Sequence, residues 1–398
     1  MATFGQQMLT VALGWDIYER THSSLALGLI GLTVFLPQVV CTLPAGHVAD
    51  TRDRKRVIIL TQGALALTSL GLTLVSWRGM PVAWIYVCLC LAGVTRTFLW
   101  SASASFLPQL VEREEFPKAV NWSSSTYQFS AMIGPAAGGA LIALTHSVAS
   151  VYILNALASV FCLAVYSLIR TRHAVIAKEE ASLDSMLDGF RFVFNRRIIL
   201  GTITLDLFAV LFGGATALLP VYVKDILKVG PQGLGLLCAA LPVGSLSCAL
   251  LMAHRAPMKK AGRAMIAAVV IFGLATVAFG LSRSFWFSIL MLFVCGFADN
   301  ISVVVRHTLV QLLTPDAMRG RVSSVNNLFI GTSNELGGFE SGLVSQLSNP
   351  VFSVVFGGVV TVLVVATVAW VWPELPRFGR LVQPESPDPS DPAPAPQR

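Results

Sequence analysis

Apolar runs of roughly twenty residues recur along almost the whole chain, separated by short polar turns. Wound as an α-helix at about 1.5 Å per residue, such a run crosses about 30 Å of hydrocarbon. Inside lipid only helices and closed barrels satisfy their own backbone groups. These runs are too long and too continuously apolar for barrel strands, which alternate, so the pattern predicts helices. Eleven spans are expected near 24–49, 56–77, 82–108, 119–144, 147–169, 198–223, 231–253, 262–282, 285–309, 321–347 and 350–372. Residues 1–19 form one more apolar stretch, short for a span and ending in Trp15, Tyr18 and charge. The chain therefore reads as an all-α integral membrane protein of twelve transmembrane helices, the first truncated as if its opening turns were missing.

The spans repeat. Gly28–Leu32 (G-L-I-G-L) aligns with Gly233–Leu237 (G-L-G-L-L), and Leu36-Pro37 with Leu241-Pro242, both at a separation of 205. Gln109–Glu115 aligns with Gln311–Ala317, and the run from Gly138 with the run from Ser341. Two pseudo-symmetric six-helix bundles result, at 1–169 and 198–372. The linker 170–197 carries Leu183, Met186, Leu187, Phe190, Val193 and Phe194 at helical spacing opposite Asp184, Asp188 and Arg191. That pattern predicts an interfacial amphipathic helix capped by Ser182. Residues 373–398 hold eight of the chain's 20 prolines among Ser, Asp and Glu, the composition of a disordered tail. Parallel repeats of six helices around a midplane site are an architecture of secondary transporters.

Composition agrees with the pattern. Of 398 residues, 55% are hydrophobic and 12% charged, where a soluble domain carries about 25%. The net charge of +7 does not indicate nucleic acid, because the basic residues cluster in alternate short loops. One side collects 21 of them and the other five: Arg20, Arg78, Lys224, Lys228 and Arg283. The positive-inside rule places the rich side and both termini in the cytoplasm, as for a multi-pass protein of the bacterial inner membrane. No cleavable signal peptide is visible. All seven cysteines lie within apolar runs, as small core residues do.

The densest charge is at Gly46–Val57, G-H-V-A-D-T-R-D-R-K-R-V, between spans two and three. Gly46, Asp50, Arg54 and Lys55 in this order resemble the loop 2–3 signature of the major facilitator superfamily, with Asp53 where many members have a second glycine. The run A-D-T-R-D-R-K-R, and Gly14–Thr21 (G-W-D-I-Y-E-R-T), are similar to the enterobactin-exporter-like efflux branch. Gly134, Pro135, Gly138 and Gly139 in span five resemble the antiporter motif of proton-coupled exporters, with Ser130 in place of an upstream glycine. Close-packed small residues and a proline bend supply the same pattern for physical reasons alone. In the second half, Ala253–Arg263 keeps the basic cluster and lacks the acidic residue, so gating there is expected to be asymmetric.

Charges at membrane depth are candidate functional groups. Arg96 in span four and Asp299 in span ten lie at symmetric positions, 203 residues apart. The resemblance puts spans one, four, seven and ten around the transport path, where the two could pair and part. Asp206, about nine residues into span seven, is the favoured proton-coupling group. Asp16 lies nearer the external mouth. Glu335 and Glu340 in span eleven read as packing or capping residues, and Arg306 and His307 as side chains that snorkel to the cytoplasmic surface. Trp100, Trp122, Tyr127 and Phe208 are aromatics able to stack on a cargo.

The expected function is proton-coupled efflux, by alternating access, of a small amphipathic molecule such as a drug or a siderophore-like metabolite. Proton-coupled uptake stays open, as does a non-transporting receptor of the same fold. A membrane enzyme is disfavoured, because the six histidines are scattered with no HxxxH or HExxH pair. No Walker A motif is present. The expectations are no metal and no cofactor, the proton gradient as energy source, a small-molecule substrate, contact with membrane lipids, no nucleic acid, and a monomer.

Overall fold

The computed structural model describes residues 1–112, 114–169, 183–254, 258, 260–315 and 318–379; the side chains of 50, 183–187 and 377 also lie outside the description. The first half comprises α1 (Ala2–Thr21), α2 (Ser24–Thr51), α3 (Arg54–Trp77), α4 (Ala83–Leu110), α5 (Phe116–Thr145) and α6 (Ala149–Leu168). A short helix, α7 (Leu183–Asn195), precedes the second half. That half begins with a broken span: α8 (Arg197–Phe212), a 3-10 turn, α9 (Leu219–Val221) and a π turn. It continues with α10 (Pro231–Ala253), α11 (Ala261–Leu281), α12 (Phe285–Leu313), α13 (Arg319–Leu347) and α14 (Pro350–Val371), and ends in α15 (Glu374–Arg377).

Ten of these spans are long and apolar enough to cross a membrane, counting Arg197–Ile226 as one. The two left over are α1, which carries Asp16, Glu19 and Arg20, and α13, which carries Arg319, Arg321, Glu335 and Glu340. Hydropathy alone therefore supports ten spans and leaves the expected twelve to packing. The break in the seventh span falls at Gly213-Gly214, where Gly214 lies against the Gly337 carbonyl of α13.

The halves repeat one packing scheme. In the first, α2 packs on α4, α3 on α4 and α6, and α1 on α5 and α6. In the second, α10 packs on α12, α11 on α12 and α14, and α8 on α13 and α14. Backbone contacts fix the register. Gly93 of α4 meets the Val34 carbonyl of α2, and Gly296 of α12 meets the Leu241 carbonyl of α10. The offsets are 296 − 93 = 203 and 241 − 34 = 207. Contact thus relates α2 to α10 by 207, two residues away from the offset that aligns the two Leu-Pro pairs.

Between the halves, α5 crosses α10 and α2 crosses α13. Gly139 meets the Pro231 carbonyl and Gly235, while Gly342 meets the Ser24 carbonyl and Gly28. The same offsets, 203 and 207, relate the two crossings. Side chains larger than hydrogen at Gly139 or Gly342 would collide with backbone, so these glycines let the helices approach closely.

The end of the bundle away from the basic loops holds one apolar core that spans both halves, from Met8 and Tyr152 to Leu234 and Leu237. At the basic end the cores are separate: Val57, Ile58, Ala102 and Phe106 in the first half, and two clusters around Leu205 and Val193 in the second. Helix α7 belongs to the last of these. Val193 is fully buried against it and Phe190 packs edge-on to Phe329 of α13, with ring centroids 6.1 Å apart. The amphipathic linker helix therefore turns apolar side chains onto the second half; Ser182, its expected cap, lies outside the described residues. Beyond α14 the chain does not leave the bundle at Pro373, because Leu375 of α15 is buried in the second-half core against α11.

Candidate functional site

A cavity of about 2240 Å³ opens between the halves at the basic end. Its mouth is framed by Gly46, His47 and Thr51 of α2 and by Gly320, Arg321 and Ser324 of α13. The walls are unequal: all six helices of the first half contribute, whereas α13 alone lines it from the second. In the basic-end parts of α2 and α5, Leu36 and Val40 are 67% and 69% exposed and residues 121–129 are exposed throughout.

The opposite end is shut by polar contacts over the shared core. The Tyr18 hydroxyl donates to Asp225, and Lys224 pairs with Glu19 at 2.6 Å. The Ser345 hydroxyl donates to Ser24 at 2.9 Å and Ser23 donates to Gln346 at 3.0 Å.

The intramembrane charges fall into three separate arrangements. Asp16 is buried and does not face the mouth; it pairs with Arg20 at 2.7 Å and accepts a hydrogen bond from Tyr152 at 3.0 Å. Arg20 also donates to the Met80 carbonyl, tying α1 to the turn between α3 and α4. Asp206 forms a buried ion pair with Arg306 of α12. Arg306 does not snorkel, because that carboxylate holds it inside the bundle. Neither residue lines the cavity, and nor does Asp299, which has no hydrogen bond or ion pair among the described residues.

Arg96 does line the cavity, with its Nε lacking a hydrogen-bond partner among the described residues. The charge it meets across the cavity is Glu335 of α13, not Asp299. A side chain at Gly31 of α2 would overlap the Glu335 carboxylate. Of the aromatics, Trp100 and Tyr127 are on the wall, whereas Trp122 and Phe208 are not.

Comparison with known proteins agrees with this architecture. The pattern of the Major Facilitator Superfamily matches residues 1–338 and 217–395. The chain belongs to the major facilitator superfamily. It is a multi-pass membrane transporter, not an enzyme. Enterobactin exporter EntS of Citrobacter koseri is 28% identical over 375 residues, covering 93% of this chain and 89% of its own. Its namesake in Shigella boydii is 27% identical over 378 residues with the same coverage. Among solved structures, a bacterial homologue of the human lysosomal transporter Spinster, inward-facing and occupied, superposes with a TM-score of 0.75 at 13% identity, covering 94% of each chain. The nucleoside transporter NupG gives 0.70 at 14% identity, covering 95% of this chain and 98% of its own.

In this superfamily member the loop 2–3 signature braces the first half. Asp53 is the N-cap of α3, its carboxylate accepting from the Lys55 amide at 2.9 Å and the Arg56 amide at 3.4 Å. A cap position tolerates glycine almost as well as aspartate, which accounts for Asp53 standing where many members have glycine. Arg54 donates to the Ala49 carbonyl at 3.0 Å and to Ser105 near the end of α4 at 3.1 Å. Lys55 donates to the Ser167 and Ile169 carbonyls at the end of α6, at 2.9 and 2.7 Å. Cations on helix C-termini satisfy orphan carbonyls and oppose the helix dipole. The Asp50 side chain lies outside the described residues.

The glycine–proline run of α5 faces two ways. Gly134 and Gly138 pack on Gln7 and Met8 of α1, within the half. Pro135 and Gly139, one residue on in the helical turn, pack on Gly235 of α10 in the other half. Residue types alone concealed three things: that Glu335 opposes Arg96, that Arg306 holds Asp206, and that Arg54 and Lys55 point inward. The one available signal for the first was a carboxylate in span eleven at the same depth as a glycine in span two.

Proposed function

We propose that this transporter exports a small amphipathic, siderophore-like molecule in exchange for protons, by alternating access. The observation that carries the proposal is the cavity, open at the basic end and sealed at the other by contacts between the halves. With the basic end in the cytoplasm of a bacterial inner-membrane protein, this is the state in which an exporter loads cargo from inside the cell. Helices α1 and α13 complete the twelve spans, both termini are cytoplasmic, and the protein works as a monomer embedded in lipid. Arg96 contacts the cargo, with Trp100 and Tyr127 offering stacking faces on the same wall. Asp206 and Asp299 are the membrane-depth carboxylates proposed to exchange protons, Asp16 supports the outer seal, and the proton gradient supplies the energy without a cofactor.

The relatives' name supplies the first cargo to test. Purified protein is reconstituted into liposomes and enterobactin movement is followed under an imposed pH gradient. Gradient-driven enterobactin accumulation on the acidic side, abolished by a protonophore, is the expected result. Movement toward the alkaline side would identify uptake, and none under any gradient would overturn the reading of cargo and coupling.

A further inference from the structure

Among the described residues, Glu335 is the only acidic side chain that lines the cavity. It sits on the one helix that the second half contributes to the wall, on the cavity-facing stripe that also carries Ser324, Leu328 and Gly331. Its carboxylate lies against α2 at Gly31, where an added side chain would have to displace it. Opposite is Arg96 of α4, in the other half, with an Nε that has no hydrogen-bond partner among the described residues. The two charges interact without forming a direct ion pair in this open state. Asp206, by contrast, is occupied by Arg306 within its own half and is away from the cavity.

Other charges do not compete for this position. Helix α2 carries no titratable side chain between Ser24 and Val40, and α14 carries none at all. On α8 Asp206 pairs with Arg306 and Arg197 with Glu374 at 4.0 Å, on α12 Asp299 and His307 do not line the cavity, and on α7 Asp188 pairs with Arg321 near the mouth at 3.4 Å. On α13 itself, Glu340 accepts from Ser341 and does not line the cavity.

We propose that Glu335, in addition to Asp206 and Asp299, takes and releases a proton and acts as a latch between the halves: ionised, it is the counter-ion of Arg96 and draws α13 toward α4. A proton taken up from water neutralises it and releases the pull, so that the basic end can open. Attraction between charges in opposite halves grows as they approach, so it favours closure of the basic end and resists opening. The inference rests on the transport reading above, but its test does not depend on cargo.

Spin labels are placed at Thr51 and Ser324, exposed positions on opposite sides of the mouth, in a cysteine-free background. Label-to-label distances are measured in lipid nanodiscs at about pH 5 and about pH 8, a span that brackets carboxylate titration in buried settings. The expected result is a shift of roughly threefold or more in the ratio of short to long distances as pH rises. Glu335→Gln is expected to be pH-independent and fixed near the low-pH distribution. Glu335→Asp should keep a response, Arg96→Gln should lose it, and Glu340→Gln should respond like the parent. A parent with no pH response, a Glu335→Gln variant that still responds, or loss of response in Glu340→Gln would each overturn the inference. If enterobactin is not transported while the distances still respond through Glu335, the cargo assignment fails and this inference stands. If transport is seen without the response, the reverse holds.

Discussion

Asp206 of α8 and Arg306 of α12 form an ion pair inside the second half, their side chains 9% and 3% exposed. Each would be an uncompensated charge in an apolar bundle without the other. The pair joins two helices that move together in any rocking of the halves. A proton-coupling role for Asp206 consequently requires Arg306 to be released during the cycle.

Breaking the pair from one side is expected to be costly. Asp206→Asn or Arg306→Met alone should lower stability by about 3–5 kcal/mol, whereas Asp206→Leu with Arg306→Met should come close to the parent. Thermal unfolding in detergent measures both. The double variant also separates folding from coupling: if it is stable and still drives enterobactin against a proton gradient, Asp206 is structural.

The loop 2–3 brace makes a graded prediction. Lys55→Met leaves the Ser167 and Ile169 carbonyls without their donor and should destabilise the first half by about 1–2 kcal/mol. Asp53→Ala should cost about 1 kcal/mol and Asp53→Gly only a few tenths, because glycine is an acceptable N-cap. Melting temperatures that rank Asp53→Gly below Asp53→Ala would contradict the capping account.

The glycine crossings predict coupling between distant positions. In Gly139→Val the new methyl groups meet the Pro231 carbonyl, an overpacking that costs about 1–3 kcal/mol of the sealed state. For halves that rock as rigid bodies, the α2–α13 crossing should loosen with the α5–α10 crossing. A cysteine at Ser24, buried at the second crossing, should then react faster with an impermeant thiol reagent. Unchanged labelling would mean that the crossings open independently.

Much of this architecture was legible in the sequence, for a physical reason. Lipid forces helices wherever twenty apolar residues run together, and loop charge reports sidedness, so span positions and the two halves follow from pattern alone. The spans that hydropathy supports least, α1 and α13, are those in which Asp16, Arg20 and Glu335 interrupt the pattern. Pairings were not legible. Arg96 and Asp299 are symmetric in sequence, yet Arg96 meets Glu335, because the cavity wall in the second half is made by α13 and not by α12. Arg306 lies near a helix end, where snorkelling is normal, and only the packing of α8 on α12 reveals its partner. Likewise Lys55 reads as a surface cation until α6 brings its last carbonyls to it.

The sealed end supplies the most direct test of alternating access. Ser24 and Ser345 lie on opposite halves with their hydroxyl oxygens 2.9 Å apart, both buried. Cysteines at both positions, in a background without the seven native ones, should therefore cross-link readily under mild oxidation. The disulfide would pin α2 to α13 beside Gly28 and Gly342, where backbone already meets backbone. The cavity would stay open at the basic end, so cargo binding should survive while transport falls to the background of empty liposomes. Reduction should restore it. Each single cysteine variant should transport normally under the same oxidant, which excludes damage elsewhere. If the cross-link forms to completion and transport continues, the outer end does not need to open, and a mechanism in which the two halves rock about these crossings is wrong.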